Sequence, residues 1–157
     1  MKKVMLYGAI TLVVVFGLIQ LVPVERRNPP VESDIPTSPD VKSVLRRACY
    51  DCHSNETVWP WYSRIAPVSW LIARDVHEGR EELNFSAWNR YSTKEHVKKL
   101  KESWEEVAEG EMPPWFYTAP HRDARLSAQD RALLRQWALS APRNPTDHET
   151  LRPESHR

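Results

Sequence analysis

The chain has two cysteines, and both fall in one five-residue stretch, Cys49-Tyr50-Asp51-Cys52-His53. Cys-x-x-Cys-His is the attachment pattern of c-type haem. The spacing has a chemical reason. Each thiol adds across one of two neighbouring porphyrin vinyl groups, and two intervening residues let a single turn reach both. The histidine that follows can then present a ring nitrogen to the iron from the same face. Three other chemistries use cysteines at this spacing. A Cys49–Cys52 disulfide suits an oxidising compartment but leaves His53 without a task. A thioredoxin-like dithiol calls for a βαβ context, which the sequence does not show. A structural zinc site needs four ligands, and no second short-spaced Cys/His pair exists. One covalent haem c is the reading that employs all three side chains.

A second axial ligand is then required, since haem iron in electron carriers is commonly held by His on one side and Met or His on the other. Met112 is the single Met beyond the first five residues and sits in Gly110-Glu111-Met112-Pro113-Pro114, where two prolines stiffen the loop. A Met that merely filled a core would sit on a helix stripe. Met112 is therefore the expected distal ligand. His121, on the same irregular segment, is the alternative. His77 and His96 fall on expected helices and read as surface or packing residues, and His148 and His156 belong to the tail.

Four segments have the period and the start signals of helices that could position this chemistry. The first opens at Thr37-Ser38-Pro39-Asp40, a capping-box spacing with Pro in the first turn. Its apolar stripe is Val41, Val44, Leu45, Ala48 and Cys52. The second begins near Pro67, carries Val68, Leu71, Ile72 and Val76, and ends near Gly79 or Leu83. The third opens with the capping box Ser92-Thr93-Lys94-Glu95 and carries Val97, Leu100, Trp104, Val107 and Ala108 before Gly110, a C-terminal cap. The fourth opens with Ser127-Ala128-Gln129-Asp130 and carries Leu133, Leu134, Trp137 and Ala138. No stretch shows sustained strand alternation between hairpin turns, so the domain is expected to be all-α. Four short helices make a thin core, and small domains often complete theirs with a disulfide, metal or cofactor. Seven Trp, all beyond residue 58, suit a domain whose aromatics surround a large group, although each alone reads as core filler.

Upstream, Met1-Lys2-Lys3 precedes nineteen residues, Val4 to Val22, without a charge. That run can span a bilayer core as a helix and exceeds the apolar region of most signal peptides. No Ala-x-Ala cleavage pattern follows, so an uncleaved anchor fits residues 1–22 better than a cleaved signal. Lys2 and Lys3 are opposed by Arg26 and Arg27, which leaves orientation open. Residues 23–37 are Pro-rich and read as an extended linker. Residues 38–140 form the haem-binding body, and the polar, Pro-bearing segment 141–157 reads as a disordered tail. The 157 residues carry 22 Lys+Arg against 21 Asp+Glu. Removing residues 1–22 takes away two Lys and no acid, so no basic excess is hidden and a nucleic-acid partner is not expected.

A helix, Cys-x-x-Cys-His, then Met-Pro-Pro before a terminal helix resembles a small class I cytochrome c. The chain resembles the bacterial haem-binding domain family more closely. The matching stretches are Cys49 to Asn55, Trp59 to Ser63, Ile65 to Trp70, Glu78-Gly79-Arg80, Leu83 to Ser86 and Met112-Pro113-Pro114. This resemblance implies a bacterial c-type haem protein, anchored in the inner membrane with its soluble domain in the periplasm. The class I likeness further implies a Pro carbonyl, Pro60 or Pro67, on the second ring nitrogen of His53. It also implies that Leu133 and Trp137 pack the last helix against Val44 and Leu45. Trp59, Trp61, Tyr62 and Arg64 are candidates for the haem propionates. With both axial positions filled, the expected task is one-electron transfer to an unidentified redox partner. The competing functions are a peroxidase-like or ligand-activating enzyme with an opening distal site, served by His121 or Arg122, and a haem-bearing sensor or assembly module.

Overall fold

A computed structural model describes residues 1–140, and the expected disordered tail, 141–157, lies outside the described residues. The architecture is all-helical behind a long apolar helix. α1, Lys2–Ile19, has no buried residue. α2 spans Pro39–Ala48, α3 Tyr50–His53, α4 Val68–Glu82, α5 Thr93–Glu109, α6 Trp115–Thr118 and α7 Ala128–Leu139. Three short 3-10 turns, Trp61–Arg64, Trp88–Arg90 and Arg122–Ala124, lie between them.

The helix starts follow local chemistry. Ser38, rather than Thr37, caps α2, its hydroxyl accepting from the Val41 N–H with Pro39 in the first turn. Ser92–Glu95 and Ser127–Asp130 close reciprocal capping boxes on α5 and α7. α5 ends on Gly110, whose φ of 87° is the left-handed conformation that glycine adopts without a Cβ clash. α2 does not run on through the cysteines: it ends at Ala48, and Cys49 turns the chain into α3, so Cys52 lies off the α2 stripe.

α7 packs on both α5 and α2, and α3 packs on α2 and α4. The core gathers Ile35, Val41, Val44, Leu45, Tyr50, Phe85, Trp88, Leu100, Val107, Leu134 and Ala138, with Leu133, Trp104 and Trp137 packed at its rim. The last helix thus meets the α2 cluster as the class I likeness implies, though Leu134 and Ala138 are its fully buried contacts. Each fully buried aliphatic or aromatic side chain contributes about 1.5–3 kcal/mol. Only Trp88 of the seven Trp is buried, and Trp61 and Trp115 are exposed.

Two sequence expectations change here. α4 carries its apolar stripe outward: Val76 is buried, but Val68 is exposed and Leu71 is 56% exposed. Where α4 meets α3 it instead carries Gly79, because the backbones approach closely there, and Ser69 is buried near the start of the helix. The Pro-rich segment is extended but bonded to the body along its length. Ser86 O accepts from the N–H groups of Glu32 and Ser33, Ile35 N donates to Phe85 O at 2.9 Å, and Trp88 N donates to Ser33 O at 2.9 Å. An isolated parallel bridge pairs Ser33 with Ala87. Ile35 belongs to the core, and Lys42 Nζ, Asp34 and the Tyr50 hydroxyl close a triangle beside it, with Lys42–Asp34 at 2.7 Å and Lys42–Tyr50 at 2.8 Å. Prolines lack the N–H that would compete for a regular partner, so this segment lies down as a strap.

Candidate functional site

α3 and its N-cap residue present Cys49, Cys52 and His53 on one turn. Cys49 N donates to Leu45 O at 2.8 Å, and Cys49 O accepts from Cys52 N and His53 N at 3.2 and 2.9 Å. The chain beyond His53 is tied down atom by atom. Ser54 Oγ donates to Tyr50 O, Thr57 Oγ1 to Asp51 O, and Val58 N to the Asp51 carboxylate. Phe85 N donates to His53 O at 2.8 Å, and the Ser86 hydroxyl accepts from Asn55 N. Arg80 spends its guanidinium on Ser54 O, Thr57 Oγ1, Arg27 O and Asn28 Oδ1, joining this loop to the strap.

His53 is the most constrained side chain of the set. Its Nδ1 lies 2.8 Å from Gly79 O and 3.2 Å from Leu83 O. Carbonyls only accept, so the proton is on Nδ1 and Nε2 keeps its lone pair. Burial lowers the His53 pKa, opposed by these two carbonyls, and the ring stays neutral at pH 7. A neutral ring with one nitrogen held by a carbonyl and the other free is the form of a ligating His. The Pro60 and Pro67 carbonyls are not its partners: Pro60 O accepts from Ser63, and Pro67 O from Trp70 N. The Gly79 approach is close enough that a Cβ there would sit 2.9 Å from Cys52 O. Glycine inside α4 therefore lets the helix carbonyls reach His53. Its sequence signal was a helix-interior Gly, which costs about 1 kcal/mol relative to Ala and needs a packing reason.

Both cysteines are free thiols. Burial, with the neighbouring Cys52, pushes Cys49 up to about 12, and burial with Asp51 and Asp75 pushes Cys52 up to about 11. A redox dithiol needs a lowered thiol pKa, the opposite of this environment. Among the described residues no group of three His, Cys, Asp or Glu side chains converges as a metal site. Two free thiols on one turn, followed by a neutral His whose Nε2 is unengaged among the described residues, fit the donor set of a covalently tethered haem.

The distal candidates lie on the segment after α5. Glu111 N and Met112 N both donate to Glu106 O, at 3.0 and 3.2 Å, which tucks the backbone under the α5 C-terminus. Met112 itself is 38% exposed, with Trp115 and Phe116 exposed after it. α6 brings Tyr117 back to the motif, its hydroxyl donating to Asp51 Oδ2 at 2.8 Å. His121 stacks on the Tyr117 ring, centroids 4.5 Å apart, and its Nε2 lies 2.6 Å from the Tyr62 hydroxyl. The sequence did not announce this Asp51–Tyr117 link or the Tyr62–His121 pair. Tyr62 and Trp59 are thereby engaged by protein partners, Trp59 Nε1 donating to Asn28 Oδ1, while Trp61 and Arg64 are exposed.

An all-helical domain folded around a Cys-x-x-Cys-His turn, behind one long apolar helix, is the class of molecule these observations define. Residues 14–140 match the haem-binding domain family, and the chain belongs to it. No curated protein and no solved structure matches the chain. The family match takes in the strap and the end of α1, in keeping with the bonding of residues 26–35 to the body.

Proposed function

We propose that this chain carries one haem c, bonded through Cys49 and Cys52, and passes single electrons at the periplasmic face of a bacterial inner membrane. The observation that carries the reading is His53: two backbone carbonyls hold Nδ1–H and leave Nε2 as an unengaged donor beside two free thiols. Haem in such a site supplies a reversible one-electron couple. Cys49 and Cys52 would fix the porphyrin's position, and His53 would give Nε2 as the proximal ligand. Gly79 O and Leu83 O would prevent that ring from turning and raise its basicity. Phe85, edge-on to the His53 ring and fully buried, keeps water from the back of it.

Met112 is the proposed distal ligand. Among the described residues no hydrogen bond competes for its thioether, and its segment is joined through α6 to Asp51 inside the motif. His121 would have to give up the 2.6 Å contact with Tyr62 to serve instead. α1, with no buried residue, is proposed as the anchor that holds the domain near membrane redox partners.

The test is the ferric spectrum of the exported protein. Met112→Ala is expected to abolish the sulfur-to-iron charge-transfer band and open the iron to cyanide. Persistence of the band would clear Met112. Immediate cyanide binding by the wild type would contradict a closed electron carrier.

A further inference from the structure

α1 is about 27 Å long at 1.5 Å per residue, close to the thickness of a bilayer's apolar core. Its end is not free to swing. The Gln20 side chain, one residue beyond α1, grips a single residue of the body twice: Nε2 donates to Ala66 O at 3.2 Å and Oε1 accepts from Ala66 N at 2.9 Å. Six residues on, the Arg26 guanidinium donates to Ser63 O. The body's corner from Pro60 to Val68 is therefore held at the level where α1 ends. That corner exposes Trp61, at 74%, together with Ile65 and Val68. Across a cleft lie Leu21 and Val22, also exposed, with Arg26 and Arg64 at its edge. No carboxylate lines this cleft, and neither Arg takes part in an ion pair among the described residues.

We propose that the Pro60–Val68 corner is a membrane-docking surface, seated on the headgroups of the same bilayer that α1 enters. The proposal rests on the reading of α1 as an anchor. Trp61 and Ile65 enter the interfacial layer, where Trp rings with one apolar and one wet end are favoured. Arg26 and Arg64 meet lipid phosphates, which guanidinium groups bind through paired N–H donors. Gln20 sets the angle. An anchor followed by a free linker would let the domain tumble, whereas this clamp presents one fixed face of the domain to the membrane and another to its partners.

The test uses the full chain in nanodiscs of phosphatidylcholine with phosphatidylglycerol, footprinted by hydroxyl radicals and read by mass spectrometry. Trp61 and Trp115 are equally accessible in the protein, 74% and 78% exposed, so their ratio reads the membrane. Trp61 is expected to label about fivefold more slowly than Trp115, as for a side chain sunk into the headgroup layer. Gln20→Ala, with helicity unchanged by circular dichroism, is expected to bring the ratio back toward one. Equal labelling in the wild type, or a ratio that Gln20→Ala does not move, would overturn the docking surface. Flotation with vesicles after alkaline washing tests the anchor separately. A chain that floats but labels evenly loses only the docking surface, and a chain that does not float loses both.

Discussion

On the His53 side of the site, backbone and side-chain groups are paired across four separate segments: the strap, α3 and its loop, α4, and the Leu83–Ser86 turn. On the Met112 side, the N–H groups of Gly110, Glu111 and Met112 share one carbonyl, and the side chains that follow, Trp115 and Phe116, face outward. The His53 side thus has its geometry fixed by the protein alone. The Met112 side has an anchored backbone, with Met112, Trp115 and Phe116 exposed and only the later Tyr117 and His121 engaged. A haem bonded as proposed would need the first kind of construction where its bonds form, and the Met112 segment could close on it as a loop.

Substitutions should separate the two halves by stability against spectroscopy. Phe85 is 1% exposed and stacks on Tyr50 while meeting His53 edge-on. Phe85→Ala is expected to cost about 3–5 kcal/mol in urea unfolding, the range for deleting a buried aromatic ring. Gly79→Ala comes next. Its Cβ would lie 2.9 Å from Cys52 O, and relieving that contact moves α4 away from His53. The expected loss is about 1–3 kcal/mol despite alanine's better helix propensity. A stabilised Gly79→Ala protein would show that the α3–α4 approach is loose.

A third test reads the strap through pH. Burial pushes the Asp34 carboxyl up, but hydrogen bonds from Lys42 and Tyr50 outweigh it and hold the pKa below the ordinary value. The carboxylate's contribution is therefore present above the unfolded pKa, near 3.9, and is lost as the pH falls through the lower folded value. Denaturation midpoints taken downward from pH 5 should fall more steeply for the wild type than for Asp34→Asn. Parallel curves would place the strap's hold elsewhere. The smallest stability effect belongs to the distal side. Met112→Ala in the haem-free chain is expected to change the unfolding free energy by about 0.5 kcal/mol or less, as for exposed positions. A cost near that of Gly79→Ala would mean that the Met112 loop is as tightly built as the proximal side.

The parts of this fold that were legible in the sequence are those whose causes lie within a few residues. Ser92–Glu95 and Ser127–Asp130 cap helices across three positions, and Gly110 stops one where it stands. The Cys-x-x-Cys-His stretch is likewise local. What the sequence did not reveal depends on partners far along the chain. His53 meets a carbonyl 26 residues away, and nothing in an apolar pattern says which peptide oxygen will be near. The stripe of α4 has a real period, but period alone does not say whether the neighbour is protein. Val68 and Leu71 are outside, while Gly79 makes the close contact with α3. The Pro-rich strap misled for the same reason. Its prolines correctly signalled extended backbone, while the hydrogen bonds of Glu32, Ser33 and Ile35 to Phe85 and Ser86 are invisible to composition.

The proposed function requires covalent attachment of haem at Cys49 and Cys52. The direct measurement is acid–acetone extraction of the exported protein, followed by a pyridine haemochrome spectrum of the protein fraction. Haem is expected to stay with the polypeptide and give a c-type spectrum in the wild type, and to be lost in the Cys49→Ala, Cys52→Ala double variant. Haem that extracts from the wild type, or wild-type protein without haem, would contradict it.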